Sequence, residues 1–352
     1  MLARVKVCPY CGRENEAGAG VCRECGTGWP LTPATAFIEP VDLPVPERFQ
    51  LEMGFEIVEG FSRPDWTAIK AFIKTQIPKE DWQEAWEEAA RRWLHELAGD
   101  LGGGSQVSQS VSFLCLSDLE PGEAQQVLAR AELARDFVQG CLKEAAWTGY
   151  LGRHVLLLFA DPEDYFTYIS YFYPEGTHAL TAGVFIRRGY AHIALPCTDI
   201  SRVQRTLTHE LVHNLLSHLP LPAWLNEGLA QMIDRPAQQS QFLLDVDMVD
   251  RHRGFWNAAN IQTFWAGKSF GIPGESTQLS YDLGEILTNL LAEKGPDFID
   301  FIKHADWRDA GQDAAVSILN VDLGEVLGGF LGPGNWRPQR KAIAECLKRE
   351  TG

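Results

Sequence analysis

The sequence predicts an α+β fold: a small mixed sheet, then a helix-rich C-terminal part, with a short cysteine-rich segment in front. Three observations lead to this prediction. Short apolar runs that are typical of strands alternate with helical periodicity as far as Leu195. Beyond Glu227 the apolar pattern is helical throughout. Four of the eight cysteines lie within the first 25 residues.

Length and charge narrow the class of protein. A chain of 352 residues has room for one large domain or two smaller ones, and its apolar fraction of 45% is that of a globular protein. Its formal net charge of −16 argues against nucleic acids and anionic membranes as partners, since both need a basic surface. The first residues lack the apolar core of a signal peptide and the lone cysteines suit a reducing compartment, so a cytoplasmic location is expected.

Residues 1–29 are predicted to form a zinc ribbon. Two C-x-x-C pairs supply four thiolates for one structural zinc ion: Cys8, Cys11, Cys22 and Cys25. Two redox sites are the alternative, but neither pair has the strand–helix context that such sites need. Acidic residues are mixed with the basic ones here, so a protein partner is expected for the ribbon rather than a nucleic acid.

The other domain boundaries are predicted from the positions of proline and glycine and from the periodicity of the apolar residues. Five prolines mark residues 30–48 as a stiff linker. Residues 49–104 are predicted to be an accessory helical region, with helices starting at Asp65–Trp66 and at Asp81–Trp82. Residues 105–352 are predicted to form the main domain.

Within that domain, strands are predicted at 107–116 and 154–159, and helices at 123–144 and 164–173. A hairpin is predicted for 184–187 and 191–195. Later helices are predicted at 280–291, 313–320 and 322–331.

The motif that carries chemistry is Thr-His-Glu-Leu-Val-His, residues 208–213. On a helix, His209 and His213 point within about 40° of each other, which makes half of a zinc site. Glu210 lies beside them, where it can accept a proton from water. Leu219-Pro220-Leu221-Pro222 must end this helix. If the next helix doubles back, Glu227 returns to the level of the histidines and is the predicted third ligand; Asp234 is the next candidate.

The composite H-E-L-V-H…L-P-A-W-L-N-E-G-L-A resembles the gluzincin branch of the zinc metallopeptidases, and most closely the peptidase-MA-like group. The resemblance covers residues 105–352, with specific motifs only between His209 and Ala230. It implies a zincin-like catalytic domain that hydrolyses peptide bonds, with a catalytic zinc ion and with Glu210 as the base. Zinc would then serve twice, once in catalysis and once in the ribbon.

The resemblance implies three further features. The strand just before the metal helix, His192–Leu195, would border the cleft and pair with a peptide or protein substrate in extended form. Tyr281, at the start of a later helix, would stabilise the oxyanion of the transition state. The segment 181–186 lacks the acid with which related aminopeptidases hold the substrate amine, which favours an endopeptidase. His192 and His178 are interpreted as ordinary surface or cleft histidines.

Two other interpretations stay open. The chain could be a catalytically idle zincin-fold protein that binds or regulates partners through its ribbon. An intact Glu210 argues against it, because a proton acceptor there has no structural use. A DNA-linked metallopeptidase would need a third histidine and a basic face, and this chain has Glu227 and a negative charge instead.

Overall fold

The computed structural model describes residues 5–7, 14–16, 39–40, 47–102, 104–147, 149, 152–173, 182–197, 200–235 and 245–348. For 5–7, 14–16, 39–40, 200–202, 204–205 and 348 it describes the backbone alone. The four ribbon cysteines and His178 lie outside the described residues. The ribbon and the four-part division of the chain therefore stay predictions.

The described residues fall into two compact units. The first comprises those of Met1–Val138 and Thr148–Asn214, and the second those of Gln139–Trp147 and Leu215–Gly352. The first unit holds ten strands: β1 (Val5–Val7), β2 (Glu14–Glu16), β3 (Glu39–Pro40), β4 (Phe55–Val58), β5 (Phe61–Pro64), β6 (Gln106–Gln109), β7 (Phe113–Ser117), β8 (His154–Phe159), β9 (Val184–Ile186) and β10 (His192–Pro196).

Helices interleave with these strands. In chain order they are α1 (Trp66–Gln76), α2 (Trp82–Asp100), α3 (Pro121–Leu142), α4 (Pro162–Ser170) and α5 (Ile200–Leu216). The divisions between the two units fall inside α3 and α5. The helices of the second unit follow: α6 (Ala223–Asp234), α7 (Val246–Phe255), α8 (Ile261–Trp265), α9 (Glu275–Ala292), α10 (Asp297–His304), α11 (Gln312–Leu319), α12 (Leu323–Leu331) and α13 (Arg340–Lys348).

A mixed sheet is the centre of the first unit, and the α+β class is confirmed. Its strand order is β3-β6-β7-β8-β10-β9. The pairs β7–β8 and β8–β10 are parallel, and the others are antiparallel. Since β10 pairs with β8 on one side and with β9 on the other, the expectation that His192–Leu195 offers a free edge is wrong. Of the described strands, β9 lies at that edge.

The helices of residues 49–104 share one hydrophobic core with the sheet. Ile69 and Ile73 of α1 and Leu94 of α2 are buried together with Leu157 of β8. Tryptophans join these two helices: Trp86 of α2 stacks on Trp66 of α1 with ring centroids 6.1 Å apart, and Trp93 meets Trp66 edge-on.

Two local predictions in this unit need correction. The apolar run 107–116 is not one strand but two, β6 and β7, separated by a turn in which Ser110 N donates to Phe113 O. Residues 49–104 also contain a hairpin, β4–β5, that helical periodicity did not reveal. Its turn uses two left-handed residues, Glu59 and Gly60, so the chain reverses without an Asn-Gly signature.

The second unit is helical, as predicted. No single helix among the described residues has both the length and the apolar character needed to cross a bilayer; α11 and α12 pass that test only as a pair bent by 96°.

Candidate metal site

The helix α5 carries the H-E-x-x-H residues, and its sequence explains its two faces. Leu207, Leu211 and Leu215 recur at four-residue spacing and are 0–1% exposed, so this face is fixed in the interior. His209 and His213 are half-buried one turn apart. Their ring centroids are 4.8 Å apart at an interplanar angle of 79°.

A tight turn joins α5 to α6. Leu219 N donates to Leu216 O at 2.9 Å, and α6 begins after Pro222, whose φ of −65° suits a helix start. The turn is held from outside as well, since Trp307 N donates to Pro220 O at 2.8 Å. Glu227 follows in the first half of α6 and is half-buried.

The chain reversal brings three side chains to one point. One ligand atom from each of His209, His213 and Glu227 lies within 4.8 Å of the other two. Tetrahedral zinc with bonds of about 2.0–2.1 Å spaces its ligand atoms by about 3.4 Å, so small side-chain rotations would close the group on the ion. Two imidazole nitrogens and one carboxylate oxygen are a donor set that zinc accepts, with a fourth position left open. The residues therefore fit a zinc ion.

Contact with α9 fixes the position of α6. A Cβ built on Gly228 would clash with Gly284 O and Thr288 Oγ1, and one built on Gly284 would lie 2.9 Å from Trp224 O. The two backbones can approach this closely only because both positions are glycine. Trp224 is fully buried and donates from Nε1 to Ala310 O at 3.0 Å. The contact with α9 therefore fixes the position of Glu227, which is next to Gly228 on α6.

Glu210 is 7% exposed, so its carboxylate is largely withdrawn from bulk water. Tyr173, which follows α4, lies near enough to interact electrostatically with it. Burial first and the Glu210 charge second raise the pKa of the Tyr173 hydroxyl, and Arg188 opposes this. The Tyr173 hydroxyl also donates to Phe185 O of β9 at 3.5 Å. Sequence analysis did not single out Tyr173, because no motif contains it and only the fold brings it to Glu210.

A buried hydrogen bond ties α5 to the sheet just beyond the second histidine. The side chains of Asn214 and His154, which is on β8, are bonded to each other. Both are nearly inaccessible to solvent, at 3% and 4% exposure. Burial, aided by the charge of Arg135, lowers the pKa of His154 to about 3, so the ring is neutral. The pair fixes the end of α5 that carries His213.

Two other residues discussed in the sequence analysis occupy positions that differ from those expected. Tyr281 was expected at the start of its helix, but it lies in the second turn of α9. Its side chain is half-buried and edge-on to Phe270, with ring centroids 5.2 Å apart. His192 is not a surface or cleft histidine, because it is 2% exposed. Its ring nitrogens lie 2.9 Å from the Tyr168 hydroxyl and 2.7 Å from Tyr190 O. Both nitrogens thereby have hydrogen-bond partners inside the core.

No family model, no curated protein and no solved structure matches this chain. The function has to be argued from the chemistry of the site itself.

Proposed function

We propose that this chain is a zinc-dependent metallopeptidase, acting as an endopeptidase in the cytoplasm. The observation that carries the proposal is the convergence of His209, His213 and Glu227 within 4.8 Å, with Glu210 one residue from the first of them. Exposed acidic residues often cluster without a metal, but here two imidazoles at helical spacing and an acid from the next helix form the group.

Bound zinc would supply a Lewis acid that polarises the peptide carbonyl and makes a water molecule more acidic. The chain's own residues would do the rest. His209, His213 and Glu227 would hold the ion in an open site. Glu210 would accept the proton of the attacking water and later pass it to the amine that leaves.

An extended substrate would pair with β9 rather than with β10, since β9 is the edge among the described strands. Tyr173 would lie at this edge, because its hydroxyl reaches Phe185 O of the same strand.

The alternative, an idle zincin-fold binding protein, makes the opposite prediction for Glu210. In a binding protein, a buried glutamate could become glutamine without functional loss. The proposed enzyme needs the carboxylate in every turnover, because an amide cannot accept the proton.

Incubation of the full chain with a library of peptides from a digested proteome distinguishes the peptidase from the idle binding protein. We expect the zinc-loaded wild type to generate new termini and Glu210→Gln to lose at least 100-fold in rate, in the range of general acid–base contributions of roughly 10²–10⁴. Zinc content should be the same in both proteins. Glu293→Gln, an exposed change just beyond the end of α9, is the control and should cleave at the wild-type rate. Cleavage by Glu210→Gln at the wild-type rate would contradict the proposed role.

A further inference from the structure

A second site is suggested by a cavity in the first unit, bordered by β5, α1 and the residues that follow α4. Its volume is about 540 Å³, and its aromatic walls include Trp66, Trp93, Tyr168 and Phe172. Protein interiors contain few voids larger than one water molecule, whereas ligand pockets span roughly 300–1,000 Å³. A cavity of this size therefore has the dimensions of a small-molecule site rather than of a packing defect.

The most deeply buried charged group of this cavity is Arg63 of β5, which is only 9% exposed. Among the described residues, no carboxylate lies within ion-pair distance of its guanidinium. Nη2 donates to Tyr168 O at 3.1 Å, the Tyr168 side chain is a further hydrogen-bond partner and Glu59 is a nearby charge, while Nε is buried with no acceptor in the described part of the chain. The carbon at the centre of the guanidinium lies 4.0 Å from the ring centroid of Tyr171 and 4.9 Å from those of Tyr168 and Phe172.

Such a guanidinium is incompletely satisfied. A buried cation is normally paired with an anion, because the loss of hydration is otherwise only partly compensated. Aromatic faces compensate some of that loss, but they accept none of the five N–H donors in a planar hydrogen bond. An anion that entered the cavity would provide both the missing charge and the missing acceptors.

The other polar groups of the cavity do not supply that anion. Asp65 is already used as the N-cap of α1, where it accepts from Thr67 N and Ala68 N, and Glu56 is an exposed residue of the lining. His192 is neutral, and its ring nitrogens have partners in the core. Arg188 adds a second positive charge on the exposed side of the lining. The two arginines and the two carboxylates of the lining balance in formal charge, so the positive charge enclosed by the aromatic wall is that of Arg63 alone.

We propose that this cavity binds a small organic carboxylate with a flat apolar body. The planar fork of Arg63 matches a carboxylate with two parallel hydrogen bonds. The flat body of the ligand would stack against the tryptophan and phenylalanine walls. Inorganic phosphate shares the charge but cannot use these walls, so it is expected to bind much more weakly. The proposal is independent of peptide hydrolysis.

Calorimetric titration of the full chain with indole-3-acetate tests the proposed carboxylate site. Indole-3-acetamide is the uncharged analogue, and inorganic phosphate is an anion without a flat apolar body. We expect saturable one-to-one binding of the acid, with the amide and phosphate each at least tenfold weaker. Benzoate and phenylacetate extend the panel to smaller rings. If none of the three acids binds saturably, or if the amide binds as well as its acid, the proposal is overturned.

Variants locate the binding. Arg63→Gln should weaken indole-3-acetate binding at least tenfold, whereas Arg92→Gln should leave it unchanged. Arg92 is a matched control, since it is half-buried and bonds one backbone carbonyl, Leu51 O, outside the cavity lining. Arg188→Gln, an exposed change that is safe for folding, should weaken binding a few-fold. If Arg63→Gln does not fold, the proposal is tested by two other measurements: the affinity of indole-3-acetate relative to indole-3-acetamide, and the affinity of Arg188→Gln for indole-3-acetate. Wild-type affinity in a folded Arg63→Gln protein, or in Arg188→Gln, would overturn the assignment of the anion to this cavity.

Discussion

At the scale of single residues, the position of a side chain in the fold determines whether it can react. Glu210 and His192 are both nearly buried polar groups. The ring nitrogens of His192 have hydrogen-bond partners within the core, so it packs and does not react. Glu210 directly follows the first histidine of the candidate ligand group in the sequence and interacts with the Tyr173 hydroxyl. The same degree of burial therefore stabilises the fold in one case and, in the proposed enzyme, would surround the reacting base in the other.

Two tyrosines compete for the role of oxyanion donor, and kinetics separates them. Tyr281 is the prediction from the sequence resemblance, and Tyr173 is the hydroxyl that the fold brings to Glu210. Loss of a transition-state donor should lower kcat about tenfold or more with little change in KM and none in zinc content. We expect this result for Tyr281→Phe, with Tyr173→Phe as the matched comparison. A normal kcat in Tyr281→Phe together with a low kcat in Tyr173→Phe would transfer the role to Tyr173.

At the scale of elements, the contact of α6 with α9 determines where Glu227 stands. Gly228→Ala should destabilise the protein by about 1–3 kcal/mol, because the added methyl group meets Gly284 O and Thr288 Oγ1. The same change should also weaken zinc binding, since it displaces the neighbouring ligand. Urea unfolding and competition with a zinc chelator measure the two effects.

Gly254→Ala on α7 is the matched control for that experiment. No atom lies within 4 Å of a Cβ built at Gly254. Its substitution should therefore be neutral or stabilise the protein by up to about 1 kcal/mol through helix propensity. Equal stability loss in both variants would mean that the glycine contact between α6 and α9 is not what fixes Glu227.

Several elements could be predicted from the sequence because their signals are local. The periodicity of residues 206–216 predicts the metal helix, and the prolines at 220 and 222 predict the chain reversal that follows. Strand order could not be predicted in the same way. Whether β10 is an edge depends on which neighbours it pairs with, and those partners, Val155 to Phe159, lie far along the chain. The approach of Tyr173 to Glu210 and the cavity around Arg63 are likewise products of the tertiary fold.

At the scale of the whole molecule, stability should depend on pH through buried neutral histidines. Burial lowers the pKa of His192, and separately that of His252, to about 4 from the ordinary value of 6.5. Between pH 6.5 and 4 the unfolded chain therefore binds more protons than the folded one, and the free energy of unfolding falls as the pH falls. For His192 alone the full effect is about 3 kcal/mol.

Urea unfolding at pH 7, 6 and 5 measures this dependence. We expect stability to decrease steadily over that range, and His252→Gln, which removes one of the titrating rings, to decrease less steeply. His95→Gln, a change of an exposed histidine on α2, should leave the slope as it is in the wild type. A free energy of unfolding that is constant from pH 7 to pH 5 would contradict the buried neutral state of these rings.

The central claim is that His209, His213 and Glu227 hold zinc while Glu210 does not. Elemental analysis of the full chain tests this claim most directly, because it counts the ions of the open site. The protein is first dialysed against a mild chelator and is then given one equivalent of zinc beyond what it has retained. We expect Glu227→Gln to lose one zinc ion per chain relative to the wild type, and Glu210→Gln and Asp234→Asn to lose none. Full zinc occupancy in Glu227→Gln, or the loss of an ion in Asp234→Asn, would contradict the ligand assignment on which the proposed function rests.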